Sequence, residues 1–311
     1  MPRPATLFLL ASVLFASRAT ASGAPPDIPA ALDSSSKLTS REFELYGPTD
    51  EEVRKANDEI RVAISQFVLY MGEQPRKMAF VLVHSPAEAA QLDARPFTRR
   101  NLPVAPWLLP ATPSGMGATA TPAGSAAAAY PLGHDAGHRF LVAYVEHAMA
   151  VAAEAGGSTS AAPAAVGISA PLGSHATLAS LPDWIEEAVA ALCERPTAQK
   201  GRIDFMRAHL DARIPFAELL AMARPGAGAA RGGKAAAGGM DRATIFCDES
   251  LSLARFIAHR EEERFFGTLI EGVLRGRTAS DVLNTSQNLM SRPEALEKQW
   301  LEWMQGQERT P

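Results

Sequence analysis

Beyond its first residues the chain has no stretch that approaches about 18 consecutive apolar residues, so no later segment reads as a helical membrane span. Cysteine is scarce: Cys193 and Cys247 are the two in the chain. They allow at most one disulfide, formed after export, or else two small buried thiols, and the sequence leaves both readings open. No cysteine follows the N-terminal apolar run, which removes a lipid anchor at that point. Basic residues are not gathered into a stripe interleaved with aromatics, and the net charge of -4 is spread along the chain. Nucleic acid is therefore not an expected partner. Internal repeats are missing as well.

What is present begins with a basic start, an apolar run from Ala5 to Ala16 and the small-residue signal Ala19-Thr20-Ala21. This pattern predicts a secretory signal peptide over residues 1–21, cut after Ala21, and a secreted or periplasmic mature protein with no membrane span after cleavage. Residues 22–40 read as a linker and 41–308 as one domain, long enough to bury a substantial core. Three stretches near 111–129, 155–176 and 224–240 are dominated by Ala, Gly, Ser, Thr and Pro and read as loops or insertions.

The ordered pattern opens at Arg41. Glu42 to Tyr46 alternates polar and apolar as a half-buried strand does. Thr49 and Glu52 predict a capping box, and apolar residues at helical spacing from Val53 to Met71 predict a helix that stops at Gly72. Met78 to Val83 is a continuous apolar run suited to a buried strand, followed by a second capping pair at Ser85 and Glu88. Downstream the chain reads as helical: a helix opened by Leu181-Pro182-Asp183-Trp184, a pair over 202–210 and 215–223, then 246–259 and 262–274. A short helix capped by Thr278 and Asp281 follows, and a last one capped by Ser291 and Glu294 turns Leu296, Trp300 and Trp303 to one side. The fold class is α+β, a small N-terminal strand-helix-strand sheet followed by a mostly helical remainder.

Three of the seven histidines, His134, His138 and His147, fall on one predicted helix after Pro131. His134 and His138 are i and i+4, so they share a helix face and can both reach one zinc ion. The segment His-Asp-Ala-Gly-His differs from the HExxH zinc motif by Asp135 in place of Glu. Asp135 is the candidate general base for activating water, one methylene shorter than the usual carboxylate. Gly137 weakens a helix where such a site needs rigidity. The third ligand comes from Trp184 to Ala190, with Glu187 the choice over its neighbour Glu186. Two histidines, a carboxylate and one open position form the ligand set of a catalytic zinc site.

From about Arg41 to Met304 the chain resembles the peptidase MA-like, gluzincin-type (zincin-fold) domains of exported bacterial proteins. The resemblance rests on the strand-helix-strand opening, on Leu181-Pro-Asp-Trp-Ile-Glu-Glu-Ala-Val-Ala190 and on Ile214-Pro-Phe-Ala-Glu-Leu-Leu220. The helix from Asp248 to Ile257 and the closing Leu296-Glu-Lys-Gln-Trp-Leu-Glu-Trp303 complete it, in the family's order. In such families the glutamate of the P-x-W-x-x-E element is a zinc ligand, which falls on Glu187. The following residue is Ala188 where the family has glycine.

The family's apolar frame around HExxH fits Phe140 to Ala148 better than it fits the His134 segment. In that alternative register Ala143 stands in the first histidine's place and Tyr144 in the catalytic glutamate's, so that His147 and Glu187 survive alone. Tyrosine, with an ordinary pKa of about 10, is a poor base near neutrality. The expectation that follows is a degenerate pseudopeptidase without catalytic metal, acting as a binding or structural module on a peptide or protein of the cell envelope. The alternative is an active zinc-dependent peptidase with His134, His138 and Glu187 as ligands and Asp135 as base.

Overall fold

A computed structural model describes residues 36–83, 98–99, 102–108, 132–155, 178, 181–222, 241–290 and 292–306. Its first part is a sheet in the order β1-β2-β3-β5-β4, with β1 at Ser36–Thr39, β2 at Phe43–Gly47 and β3 at Met78–Val83. β4 is Thr98–Arg99 and β5 is Leu102–Leu108. β1 lies in the stretch read as linker, and runs antiparallel to β2 with Ser36 opposite Gly47. β2 and β3 are parallel, Phe43 opposite Met78, and β3 and β5 are parallel, Ala79 opposite Val104.

The parallel pairing of β2 and β3 needs a crossover, and α1 at Asp50–Met71 supplies it. Thr49 Oγ1 accepts the Glu52 N–H at 3.2 Å and donates its hydroxyl to Glu52 Oε2 at 2.8 Å. At the other end Gly72 takes a φ of 79°, where only glycine avoids a Cβ clash, and returns its N–H to the Val68 carbonyl. Between these caps Val53, Ala56, Ile60, Ala63, Ile64 and Phe67 are buried at helical spacing.

The remainder is helical: α2 at Leu132–Ala155, α3 at Asp183–Leu192, α4 at Pro196–Ala208 and α5 at Phe216–Ala221. Then follow α6 at Arg242–Arg260, α7 at Phe265–Leu274, α8 at Ala279–Leu283 and α9 at Pro293–Met304. α8 carries its capping box between Thr278 and Asp281. α9 starts instead from Arg292 with Pro293 in its first turn, and Ser291 lies outside the described residues. The pair Ser85 and Glu88 and almost all of the three small-residue stretches are also outside them. The protein is thus α+β, a small N-terminal sheet followed by mostly helical structure.

One hydrophobic core runs from Phe43 in the sheet to Met304 in the last helix. α3 is its centre, packed against α2 on one side and α6 on another. Trp184, at the start of α3, and Trp300, on α9, are buried, as core anchors should be. Trp303 lies half-buried against Phe256. Cys193 and Cys247 are both buried and both free, and burial pushes the Cys193 thiol well above its ordinary pKa. No described helix is long and apolar enough to cross a membrane.

Candidate metal centre

The site forms where α2 touches α3, and glycines set how closely. A Cβ added to Gly137 would lie 2.7 Å from Ala190 Cα and 2.9 Å from Ala190 O, and one on Gly133 would lie 2.8 Å from Cys193 O. The two backbones are therefore in contact, which no larger residue at either position permits without displacement. The helix-weakening Gly137 is explained by that contact. Ala188, Ala190 and Ala191 extend the small-residue seam on α3, all fully buried.

The histidines next to these glycines are carried onto Glu187. His134, His138 and Glu187 each offer a ligand atom, all within 4.8 Å of one another, and the buried cluster could hold a metal ion. The Nε2 atoms of the two histidines are 3.2 Å apart. His134 Nε2 lies 3.0 Å from Glu187 Oε1, and His138 Nε2 lies 3.8 Å from Glu187 Oε2. A tetrahedral ion with bonds of about 2.0–2.1 Å separates its ligand atoms by about 3.3 Å, and these separations, which reach different oxygens of Glu187, are of that size.

The other ring nitrogens face carboxylates. His134 Nδ1 is hydrogen-bonded to Glu194 Oε1 at 2.9 Å, and His138 Nδ1 lies 3.1 Å from Glu186 Oε1. His134 thus faces a carboxylate through both ring nitrogens, Glu194 at Nδ1 and Glu187 at Nε2; an ion bound at Nε2 would leave the ring's hydrogen on Nδ1, toward Glu194. Burial pulls the His134 pKa down, but the hydrogen bonds to Glu187 and Glu194 outweigh it and leave it above the ordinary value.

Behind Glu194 stands Arg202 on α4. Its guanidinium donates from Nη1 to Glu194 Oε1 and from Nε to Asp248 Oδ1 on α6. Burial disfavours that cation, yet the two carboxylates more than offset the cost and raise its pKa. Asp248 is itself held above the ordinary carboxylate range by burial, against the opposing pull of Arg202. Sequence reasoning did not single out Glu194, Arg202 or Asp248 as site residues. The signal for Asp248 is the acidic pair Asp248-Glu249 flanked by Ile245-Phe246-Cys247 and by Leu251 and Leu253, a placement that charge seldom takes without a partner.

The remaining candidates lie as follows. Asp135 is half-buried, one position along from His134 and so about 100° round the helix. Tyr144 is brought against Phe67, with ring centroids 6.2 Å apart, and not to Glu187. Burial and the neighbouring Glu271 push its hydroxyl pKa up to about 12. His147 is nine residues beyond His138, about 13.5 Å along the axis, where its Nδ1 lies 2.8 Å from Arg76 Nη2. His175 and His84 are outside the described residues. No protein-family model matches the chain, and no curated protein or solved structure matches it either.

Proposed function

We propose that this chain is an exported zinc-dependent hydrolase of the peptidase class, with His134, His138 and Glu187 as the zinc ligands and Asp135 as the general base. The observation that carries the reading is the approach of two imidazole nitrogens to each other, at 3.2 Å, and to the two oxygens of one carboxylate, at 3.0 Å from His134 and 3.8 Å from His138. Nitrogen and oxygen donors in that number, with a place left for a further ligand, suit zinc. A zinc ion there would supply Lewis-acid polarisation of a carbonyl and would lower the pKa of water.

The protein's own part is to hold the donors and to move a proton. Glu194 is hydrogen-bonded to His134 Nδ1, which would leave that ring's Nε2 for the ion, and Glu186 lies 3.1 Å from His138 Nδ1. Asp135 takes the proton from the attacking water. Its shorter side chain requires a closer approach than glutamate would, and a modest turnover follows from that. The resemblance to gluzincin-type domains supports peptide as the substrate class, and the leader at residues 1–21 supports a secreted or periplasmic location.

A second reading is favoured by burial. His134 and Glu187 are both 0% exposed. A closed centre of this kind suits a zincin-like module that binds or holds a peptide partner in the cell envelope without cleaving it.

Elemental analysis of the purified protein from Ser22 onward, after extensive dialysis, tests the metal. About one zinc per chain is the expected result, and a metal-free protein that also fails to take up added zinc sinks the proposal. Cleavage of a denatured protein substrate by the zinc form, lost in Asp135→Asn, separates the hydrolase from the closed module.

A further inference from the structure

The chain Glu194–Arg202–Asp248 is more than a buried ion pair needs to be. Glu194 sits just past the end of α3, where a carboxylate meets the negative end of the helix dipole, and its side chain is fully buried. Burial of that charge is costly, and apolar residues of similar volume would often serve stability as well or better. Yet three elements are organised around it. Arg202, from α4, donates to Glu194 and to Asp248 on α6. Gln199 donates from Nε2 to the carbonyls of Leu192 and Glu194, both at 2.8 Å, and so pins the backbone that carries Glu194. The last atom in the line is His134 Nδ1, 2.9 Å from Glu194 Oε1.

We propose that Glu194, Arg202 and Asp248 form a buried positioning relay that fixes the tautomer and ring orientation of His134 and thereby sets how tightly the site holds its metal. The inference rests on the zinc reading above and adds to it which residues outside the ligand set control affinity. Arg202 is suited to the task because its planar fork reaches two carboxylates in fixed directions, which a lysine ammonium does not do. The acceptor at His134 Nδ1 is Glu194, and Glu194 is held by Arg202. Glu249, next to Asp248 and also buried, turns away to accept the Ile214 N–H at 2.9 and 3.1 Å and serves as an internal control.

The test is the zinc affinity of the whole mature chain, by competition with a chromophoric chelator, for the parent, Glu194→Gln, Arg202→Lys, Glu249→Gln and His138→Ala. The Nδ1–H proton shift of His134 in the zinc-bound protein is read alongside. The expected result is a loss of about 10-fold to 100-fold in affinity for Glu194→Gln and Arg202→Lys, the range typical of groups that orient a metal ligand. The His134 Nδ1–H proton, shifted downfield in the zinc-bound parent by its carboxylate acceptor, should move upfield in Glu194→Gln, because an amide carbonyl is a weaker acceptor than a carboxylate. Glu249→Gln should match the parent. Parent-like affinity and Nδ1–H shift in both relay variants, with zinc still lost in His138→Ala, overturns the relay alone. An equal loss in Glu249→Gln also overturns it, since general loosening of the core would then explain the effect. A parent that binds no zinc overturns the relay and the zinc reading together. Glu194→Gln is nearly isosteric, so it keeps the question answerable if Arg202→Lys does not fold.

Discussion

The two halves of α2 are made of different material and meet different neighbours. From Gly133 to His138 the helix is polar and glycine-spaced, and it lies backbone against backbone on α3. From Phe140 onward it is apolar and aromatic. Phe140 meets Phe67 at 5.6 Å and Phe80 at 6.1 Å between ring centroids, so this half closes the space between α1 and the sheet. The comparison teaches that an apolar frame around a histidine marks where a helix packs, whereas small residues beside a histidine mark where two backbones come close enough for side chains to share an ion. Both halves carry a histidine, but His138 faces Glu187 while His147 faces Arg76.

The largest effect separates those two histidines. His138→Ala should weaken zinc binding well beyond the roughly 100-fold typical of groups outside the ligand set, while His147→Ala should leave affinity unchanged. The opposite pattern in chelator competition would transfer the site to the second half of the helix.

Gly137→Ala tests the backbone contact. In an exposed helix the change would stabilise by up to about 1 kcal/mol. Here the new methyl would sit 2.9 Å from Cys193 Cβ as well as against Ala190. A net loss of about 1–3 kcal/mol is expected in chemical denaturation. Gly201→Ala on α4, with nothing within 4 Å of its added Cβ, should change stability in the favourable direction. Equal and favourable changes at both positions would break the argument.

Glu249 sharpens the contrast between buried carboxylates that belong to the site and those that do not. Burial pushes its pKa up to about 8, against the pull of the Ile214 N–H. The folded protein therefore holds a proton that the unfolded chain releases near 4.5. This group's contribution is present below that value and is lost as pH rises through about 8. Glutamine mimics the protonated form. Glu249→Gln should match the parent near pH 5 and exceed it at pH 8, by something on the order of a kcal/mol or more, without altering zinc affinity. A pH-independent difference between the two proteins would contradict this.

The smallest effect is Tyr144→Phe. Loss of one hydroxyl interaction should cost about 1 kcal/mol or less in stability, and zinc affinity should not move. A large loss of metal would tie the aromatic half of α2 to the site after all.

The opening of the fold was legible because its signals are local. The Thr49 cap, the apolar period of α1 and its Gly72 stop all act within a few residues, whereas β2, expected from its alternation as a half-buried strand, is buried on both faces with Glu44 inside and bonded to the Tyr46 hydroxyl. β1 and β5 were not legible. β1 is four residues in a polar stretch and takes its place by pairing with β2. β5 carries Pro103 and Pro106, which argue against a strand inside a sheet. Its outer neighbour among the described residues is the two-residue β4.

For the site, i,i+4 spacing was enough to put His134 and His138 on one face, and the Pro-x-Trp-x-x-Glu element was enough to nominate Glu187. Helical geometry is a property of the chain itself, so such statements need only the sequence. Which histidine faces Glu187 is set by how closely α2 approaches α3, through contacts between residues more than fifty positions apart, such as Gly137 with Ala190. Glu194, Arg202 and Asp248 meet because α3, α4 and α6 converge on one buried point, and a charge buried there finds its partner across the fold rather than along the chain. The sequence alone determined which residue types could carry the chemistry; tertiary packing decided which of them share a centre, because desolvation and pairing act across space.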